Sequence, residues 1–408
     1  MVIVLLGEAG MNRYFVKHEF MLTRKSNKNN IFILFLAILL FSYCFIILPN
    51  QETVDSFDAE EMKIIVKNTA DMQKGRETRG ATGVIKFIGM SVYAQDSNKY
   101  KTRNSMLHAY ENEEYTRFLR LKIINLDPQS LIEDKSLFPQ SPFPEKDRSN
   151  LFAQINLRYD SYLTSNLPIT YEMIEQKTAL QVLQNLLLGP FTYLIIFCAI
   201  YFSSDALVRD RRNQTVLQGI PLSWYRLINI KTFTTFMYTM MVLLALFILG
   251  MTALTIQNGF GYFDIQMPII IPGDFIGAID YEMISIGKFL LLAMGFIPIL
   301  VYLFIRLNML LSLLLKNEWL VLLVSSLILF SERLYFTRTL RELFGNEISR
   351  FPQTYFEFGK VITGQKNFLV NLETITYSKG YFLFIIAILS IELLLVLVSR
   401  IITKQRFY

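Results

Sequence analysis

Six stretches of this chain stay apolar for about as long as a helix needs to cross a bilayer, roughly 20 residues at 1.5 Å of rise each. They run about Ile31 to Leu48 (IFILFLAILLFSYCFIIL), Val182 to Phe202, Phe233 to Leu254, Phe289 to Leu315, Trp319 to Phe336 and Tyr381 to Ile402. The first two are clear, and the fifth is the weakest because Glu332 and Arg333 interrupt it. Of 408 residues, 52% are hydrophobic and 14% aromatic, and only 18% are charged, which is a membrane-protein composition. The expected fold is an all-α membrane protein. It has six transmembrane helices, an N-terminal amphipathic interfacial helix, and a mainly helical extracytoplasmic domain between spans one and two.

The chain divides accordingly. Residues 1–30 form a cytoplasmic leader, 31–49 the first span, 50–178 the outer domain, and 179–408 the membrane core, with a cytoplasmic loop at 205–231. In the leader, Tyr14, Phe15, Phe20, Met21 and Leu22 lie among cations, as a helix flat on a membrane surface requires. MVIVLLGEAG looks unlike the rest of the chain, and its Gly-Glu could be encoded by a ribosome-binding sequence, so translation is expected to begin at Met11. The first apolar run lies behind a basic segment and is too long for a signal-peptide core, so it stays as an anchor.

Net charge is +6, and the Lys and Arg residues lie beside the spans rather than in a nucleic-acid-binding patch. Counting them over short loops orients the chain. One side collects Arg13, Lys17, Arg24, Lys25, Lys28, Arg209, Arg211, Arg212, Arg226, Lys231, Lys316, Arg400, Lys404 and Arg406. On the other side the Gln257 to Gly287 loop has none, while Ser331 to Gly380 has seven. Both termini are therefore expected in the cytoplasm, with the plasma membrane as the site.

The outer domain is nearly charge-balanced. FDAEEMKIIVKNTADMQK and NSMLHAYENEEYTRFLRLKIINL place apolar residues at helical spacing, while Pro139, Pro142 and Pro144 mark a turn-rich loop. Its aromatics Phe87, Tyr93, Tyr100, Tyr110, Tyr115 and Phe118 read as an ordinary core, and the domain is expected to fold without a ligand.

Cys44 and Cys198 both fall inside spans and His18 and His108 are far apart, so neither a disulfide framework nor a metal site is implied. The chain has no phosphate-binding G-x-x-x-x-G-K-[ST], no G-x-S-x-G and no H-E-x-x-H. Nothing in it hydrolyses ATP by a recognisable motif.

Between the second and third spans lies SSDALVRDRRNQTVLQGIPLSWYRLINIKTF, which is short, basic and stopped by Gly219-Ile220-Pro221. It resembles the cytoplasmic loop between spans two and three of type-2 ATP-binding cassette exporter permeases: a charged R-E-R-x-x-G-T segment, a helical L-L-x-x-P element and an R-x-x-x-x-x-K run. Arg209, Arg211, Arg212, Thr215, Leu217, Pro221, Arg226 and Lys231 fill those places, with Asp210 for the usual Glu and Gln214 for the Gly before Thr215. YFVKHEFMLTRKSNKN, LLSLLLKNEWLVLL and FPQTYFEFGKVITG resemble, in turn, that superfamily's amphipathic first helix, its turn between spans four and five, and its outer segment before span six.

The resemblance implies a bacterial exporter subunit without bond chemistry or cofactor of its own, with ATP bound by a separate ABC ATPase partner. Peptide, antibiotic or lipid-like cargo would leave through a homodimer or heterodimer of permeases in the lipid bilayer. Topology alone needs the loop's charges, but not its stop or the apolar Val216, Leu217 and Ile220 between them; together these make a knob for a partner's groove, the coupling helix. A sodium-type ion exporter shares this layout. A membrane-anchored peptide sensor or immunity protein is the alternative without transport.

Two charges lie within the spans. Arg306 is about ten residues above Lys316 and Glu392 about eight above Arg400, so both sit roughly 12 to 15 Å from the inner boundary. An unpaired charge at that depth costs at least about 2.5 kcal/mol, so Arg306 and Glu392 are expected to face each other or one aqueous path. The alternative is that span four ends near Arg306, which snorkels to the inner headgroups and leaves Glu392 to pair with another residue such as Arg333.

Overall fold

The computed structural model describes residues 14–82, 92–126, 131, 134, 137–213, 223–273 and 279–407. Helix α1 (14–24) turns at Lys25 and Ser26 into α2 (Asn27–Ser42), which a π-turn at Tyr43–Ile47 prolongs. The buried Asn29 amide donates to the Thr23 carbonyl at 3.0 Å and fixes that corner. Ile31, Leu34, Phe35 and Ile38 are exposed along α2, a surface suited to hydrocarbon rather than water.

The segment after the first apolar run, termed the outer segment for its expected place, comes next as α3 (Ala59–Thr78), α4 (Val92–Glu111), α5 (Tyr115–Asn125) and α6 (Pro144–Thr164). Asp58 caps α3 by accepting from the backbone N–H groups of Glu60 and Glu61 at 2.8 and 3.1 Å. Rings of Phe57, Tyr110, Phe118 and Tyr171 pack with centroids 5.0 to 6.4 Å apart, and Phe118 is fully enclosed. Tyr115 packs beside Tyr171, Tyr93 and Tyr100 are half-buried, and Phe87 lies outside the described residues.

The second apolar run, expected as one span, is instead two helices, α7 (Ala179–Leu188) and α8 (Phe191–Ser203), bent by 74°. Gly189-Pro190 causes the break: proline has no N–H to donate and its ring clashes with the preceding turn. Beyond it come α9 (Trp224–Asn258), α10 (Ile286–Leu315), α11 (Glu318–Tyr335), α12 (Phe358–Ile362), α13 (Gln365–Val370) and α14 (Tyr377–Ile401). Among the described residues four helices, α2 with its π-turn, α9, α10 and α14, are long and apolar enough to cross a membrane, and the bent pair adds a fifth if it counts as one span. The fifth expected span is helical as α11, but its 18 residues include Glu318, Glu332 and Arg333. These helices fit a membrane protein.

α10 is the hub, burying Phe289, Ala293, Phe296, Leu300, Phe304 and Leu313 among α8, α9, α11 and α14. Contacts between distant loops gather the helix ends into two sets. At one end meet Lys28 with Ser204, Arg211 with Lys316, and Lys316 with Arg406. The outer segment, α7, and the stretch between α11 and α14 lie at the other.

The described residues are mainly helical but depart from the all-α expectation in two short antiparallel hairpins. The larger pairs β1 (Gln266–Pro272) with β2 (Ile279–Ser285), Gln266 opposite Ser285 and Pro272 opposite Ile279. Prolines at 268 and 272 bar a helix there, while Ile269 to Ile271 suit a pleated, half-buried surface. Ile270 donates its backbone N–H to Thr363 at 2.9 Å, holding the α12–α13 turn against β1. Gly364 makes that turn with φ +68°, and a Cβ there would stand 1.9 Å from the Ile270 carbonyl oxygen.

Candidate functional site

The loop at 205–231 is anchored on both flanks by one residue of α1. Glu19, buried, accepts from Arg209 at 3.2 Å near the loop's start and from Lys231 at 2.9 Å at its end. Lys231, only 1% exposed, also donates to the Ala206 carbonyl at 3.2 Å. Nothing in α1 marked this role except that Glu19 is the lone acid among its basic residues 14–24. Its two partners are 190 and 212 residues away in sequence.

Arg209 and Arg211 sit on a single 3-10 turn, Val208–Asn213. Arg211 donates to the Lys316 carbonyl at 3.0 Å and lies 5.9 Å from the Phe407 ring centroid, which itself packs on Trp224. The loop thereby touches the α10–α11 turn and the end of the chain. Arg226 is half-buried on the first turn of α9. The Arg212 side chain and residues Thr215, Val216, Leu217, Gly219, Ile220 and Pro221, the expected coupling knob, lie outside the described residues.

Arg306 and Glu392 are brought together. The Arg306 Nε donates to Glu392 Oε2 at 2.8 Å and its terminal nitrogen bonds both carboxylate oxygens, a forked contact between α10 and α14. The other terminal nitrogen donates to Asn229 and Thr232 on α9, each at 2.9 Å, and the Tyr225 hydroxyl donates to Glu392. Three helices therefore share one ion pair. Arg306 is enclosed, whereas the Glu392 side chain remains 30% exposed. Elsewhere on α10, Asn308 donates to the Ile200 carbonyl at 2.9 Å and to the Ser203 hydroxyl at 2.6 Å, and it accepts from Ser325, tying α8 and α11 to the same helix.

Two further charged centres lie toward the other end. Lys366 on α13 stands 2.5 Å from Glu332 of α11 and 2.9 Å from Glu357, and all three are buried. Tyr193 of α8 donates to Glu332 at 3.1 Å, while Arg333 and Lys360 reach Glu357 at 2.5 and 3.1 Å. Burial raises the Glu357 carboxyl, but Lys366 and Lys360 outweigh it and leave it below its ordinary range. In the outer segment Asp55 accepts from Arg158 at 2.6 Å, Gln176 at 2.7 Å and Tyr159 at 2.5 Å. Its burial is outweighed by Arg158 and Tyr159, so it too stays ionised below the usual carboxylate range.

Among the described residues no cluster of His, Cys, Asp or Glu could hold a metal ion. Comparison of the chain with protein-family models, with curated proteins and with solved structures found no match.

Proposed function

We propose that the chain is the membrane subunit of an exporter driven by a separate ATPase that docks on the loop at 205–231. The observation carrying this reading is the double anchor on Glu19. A loop that only set topology would need its cations in water, yet Lys231 is buried and Arg209 is three-quarters covered, both held on one carboxylate of α1. Breaking a buried ion pair costs about 3–5 kcal/mol, so the loop's flanks and α1 move as one body. A push on the knob between them would reach α8 and α9, which meet the loop at those flanks, and through Arg306 it would reach α10 and α14.

In this reading α2, the bent α7–α8 pair, α9, α10, α11 and α14 make six crossings, with both termini on the ATPase side. α11 would cross with Glu332 neutralised by Lys366. ATP binding in a paired partner would favour one of two arrangements of the subunit, the coupling energy being the difference in contacts between them. Cargo is peptide, antibiotic or lipid-like.

The test is isolation of the tagged full chain from its native membranes, with ATP hydrolysis measured in the eluate. ATPase activity is expected to co-purify and to be lost in Arg212→Glu and in the Val216→Asp, Leu217→Asp double variant, while insertion is unchanged. Activity that stays bound through both changes rejects the docking loop. No co-purified activity at all favours a sensor.

A further inference from the structure

A cleft opens where the first apolar helix ends against the break between α7 and α8, and the coupling reading does not use it. Its volume is about 470 Å³, within the roughly 300–1,000 Å³ of small-ligand sites. Part of its wall is apolar, made by Tyr43, Leu48, Val182, Leu186, Phe191 and Leu194. Another part is polar, made by Gln51 and Thr53 as the chain leaves the π-turn and by Glu175 and Lys177 as it returns to α7. Tyr43 lies five residues before Leu48, about 7 Å further along the apolar helix, and Leu194 lies one turn into α8. The polar wall therefore belongs to the connections with the outer segment, and the apolar wall belongs to the helices themselves.

The same gradient runs along a lipid molecule lying in one leaflet. The apolar wall is continuous with a surface suited to hydrocarbon, because the π-turn that carries Tyr43 also exposes Phe45, Ile46 and Ile47. Gly189 and Pro190 line the cleft too, and an interrupted helix at membrane depth is tolerated only where protein or a polar cavity covers it. On the polar wall Lys177 Nζ stands 3.0 Å from Glu175, which also accepts from the Tyr171 hydroxyl at 2.9 Å. One cation and one anion side by side make this rim neutral. A headgroup bearing a phosphate and an ammonium matches it charge for charge, whereas an anionic headgroup would satisfy Lys177 and face Glu175 as a like charge.

We propose that this cleft holds one zwitterionic phospholipid of the phosphatidylethanolamine class, with an acyl chain along the Leu186–Leu194 wall and its headgroup on the Lys177–Glu175 pair. The phosphate accepts from Lys177, and the primary ammonium donates to Glu175. The inference rests on the helices crossing a bilayer and not on the ATPase, so its failure leaves the loop assignment standing. Extraction of membranes with alkaline carbonate checks the bilayer separately, and release of the chain there would overturn both readings.

The test uses the full chain purified in a mild detergent, offered equal amounts of phosphatidylethanolamine and phosphatidylglycerol with the same acyl chains, and read by native mass spectrometry. A single phosphatidylethanolamine is expected to stay bound. Leu186→Trp, which fills the apolar wall, is expected to lower that occupancy by at least about tenfold, and Asn185→Ala, at the exposed margin of the cleft, by less than about threefold. Glu175→Gln keeps an acceptor for Tyr171 but leaves Lys177 as the only charge of the pair, so the preference is expected to turn toward phosphatidylglycerol. Size-exclusion and melting profiles report folding, and if Leu186→Trp misfolds, Leu194→Trp carries the same expectation. Three results overturn the proposal: no lipid retained, equal retention by the folded Trp variant, which would mark lipid bound only around the helices, or phosphatidylglycerol held by the parent chain as well as phosphatidylethanolamine.

Discussion

Two charged centres bridge helices here, and they solve the same electrostatic problem differently. At Arg306 one cation serves one carboxylate and two neutral acceptors, and Glu392 keeps an open side. At Lys366 one cation stands between two carboxylates, all enclosed. The first centre can lose a partner and let water or a neighbouring molecule compensate. The second cannot, because losing its lysine leaves Glu332 buried with no cation of its own, while Glu357 keeps Arg333 and Lys360. Openness, rather than the number of bonds, sets how much each centre resists change.

The largest effect is therefore expected at Lys366. Lys366→Met should cost about 3–5 kcal/mol and sharply lower the amount of folded chain in the membrane, with Glu332→Gln in the same chain restoring part of it. Melting in detergent measures both, and a Lys366→Met chain as stable as the parent would remove the contrast. At the open centre, Arg306→Glu and Glu392→Arg should each cost about 2–3 kcal/mol, and the double exchange should recover part of the loss. Absence of any recovery would show that the two charges are not coupled.

A smaller effect belongs to the outer segment. Burial pushes the Lys122 ammonium down to about 8, partly offset by Asp55. An unfolded lysine titrates near about 10.4, so between those values the unfolded chain binds more protons and stability rises with pH. Below about 8 the charged form is a standing cost. The rise between pH 8 and about 10 should disappear in Lys122→Met, followed by protease protection of the outer segment; equal profiles for both chains would refute it. The smallest change is expected from Lys63→Ala, whose partners Glu60 and Glu111 lie in water; the melting temperature should not move.

What could be read from the sequence depended on the length over which each signal acts. The long apolar runs specify helices by themselves, and the shared depth of Arg306 and Glu392 came from counting rise along two of them. The Gly189-Pro190 break was visible in LGPF but was submerged in a run whose mean hydropathy stays high. Ile269 to Ile271 between prolines carried a strand signal too short to stand out beside neighbouring spans. Glu19, Glu357 and Lys366 gave no local sign, because each acquires its role from a partner on another element.

Glu19 also imposes an order on biosynthesis. Its lysine partner is 212 residues further along the chain. At roughly 5–20 residues per second, a ribosome needs on the order of 10–40 s to deliver Lys231 after Glu19 has emerged. Through that interval the first helix must leave the Glu19 carboxylate without its lysine. The anchor on the loop's flanks is completed only when the third apolar segment arrives, so the nascent chain holds this corner unassembled until then.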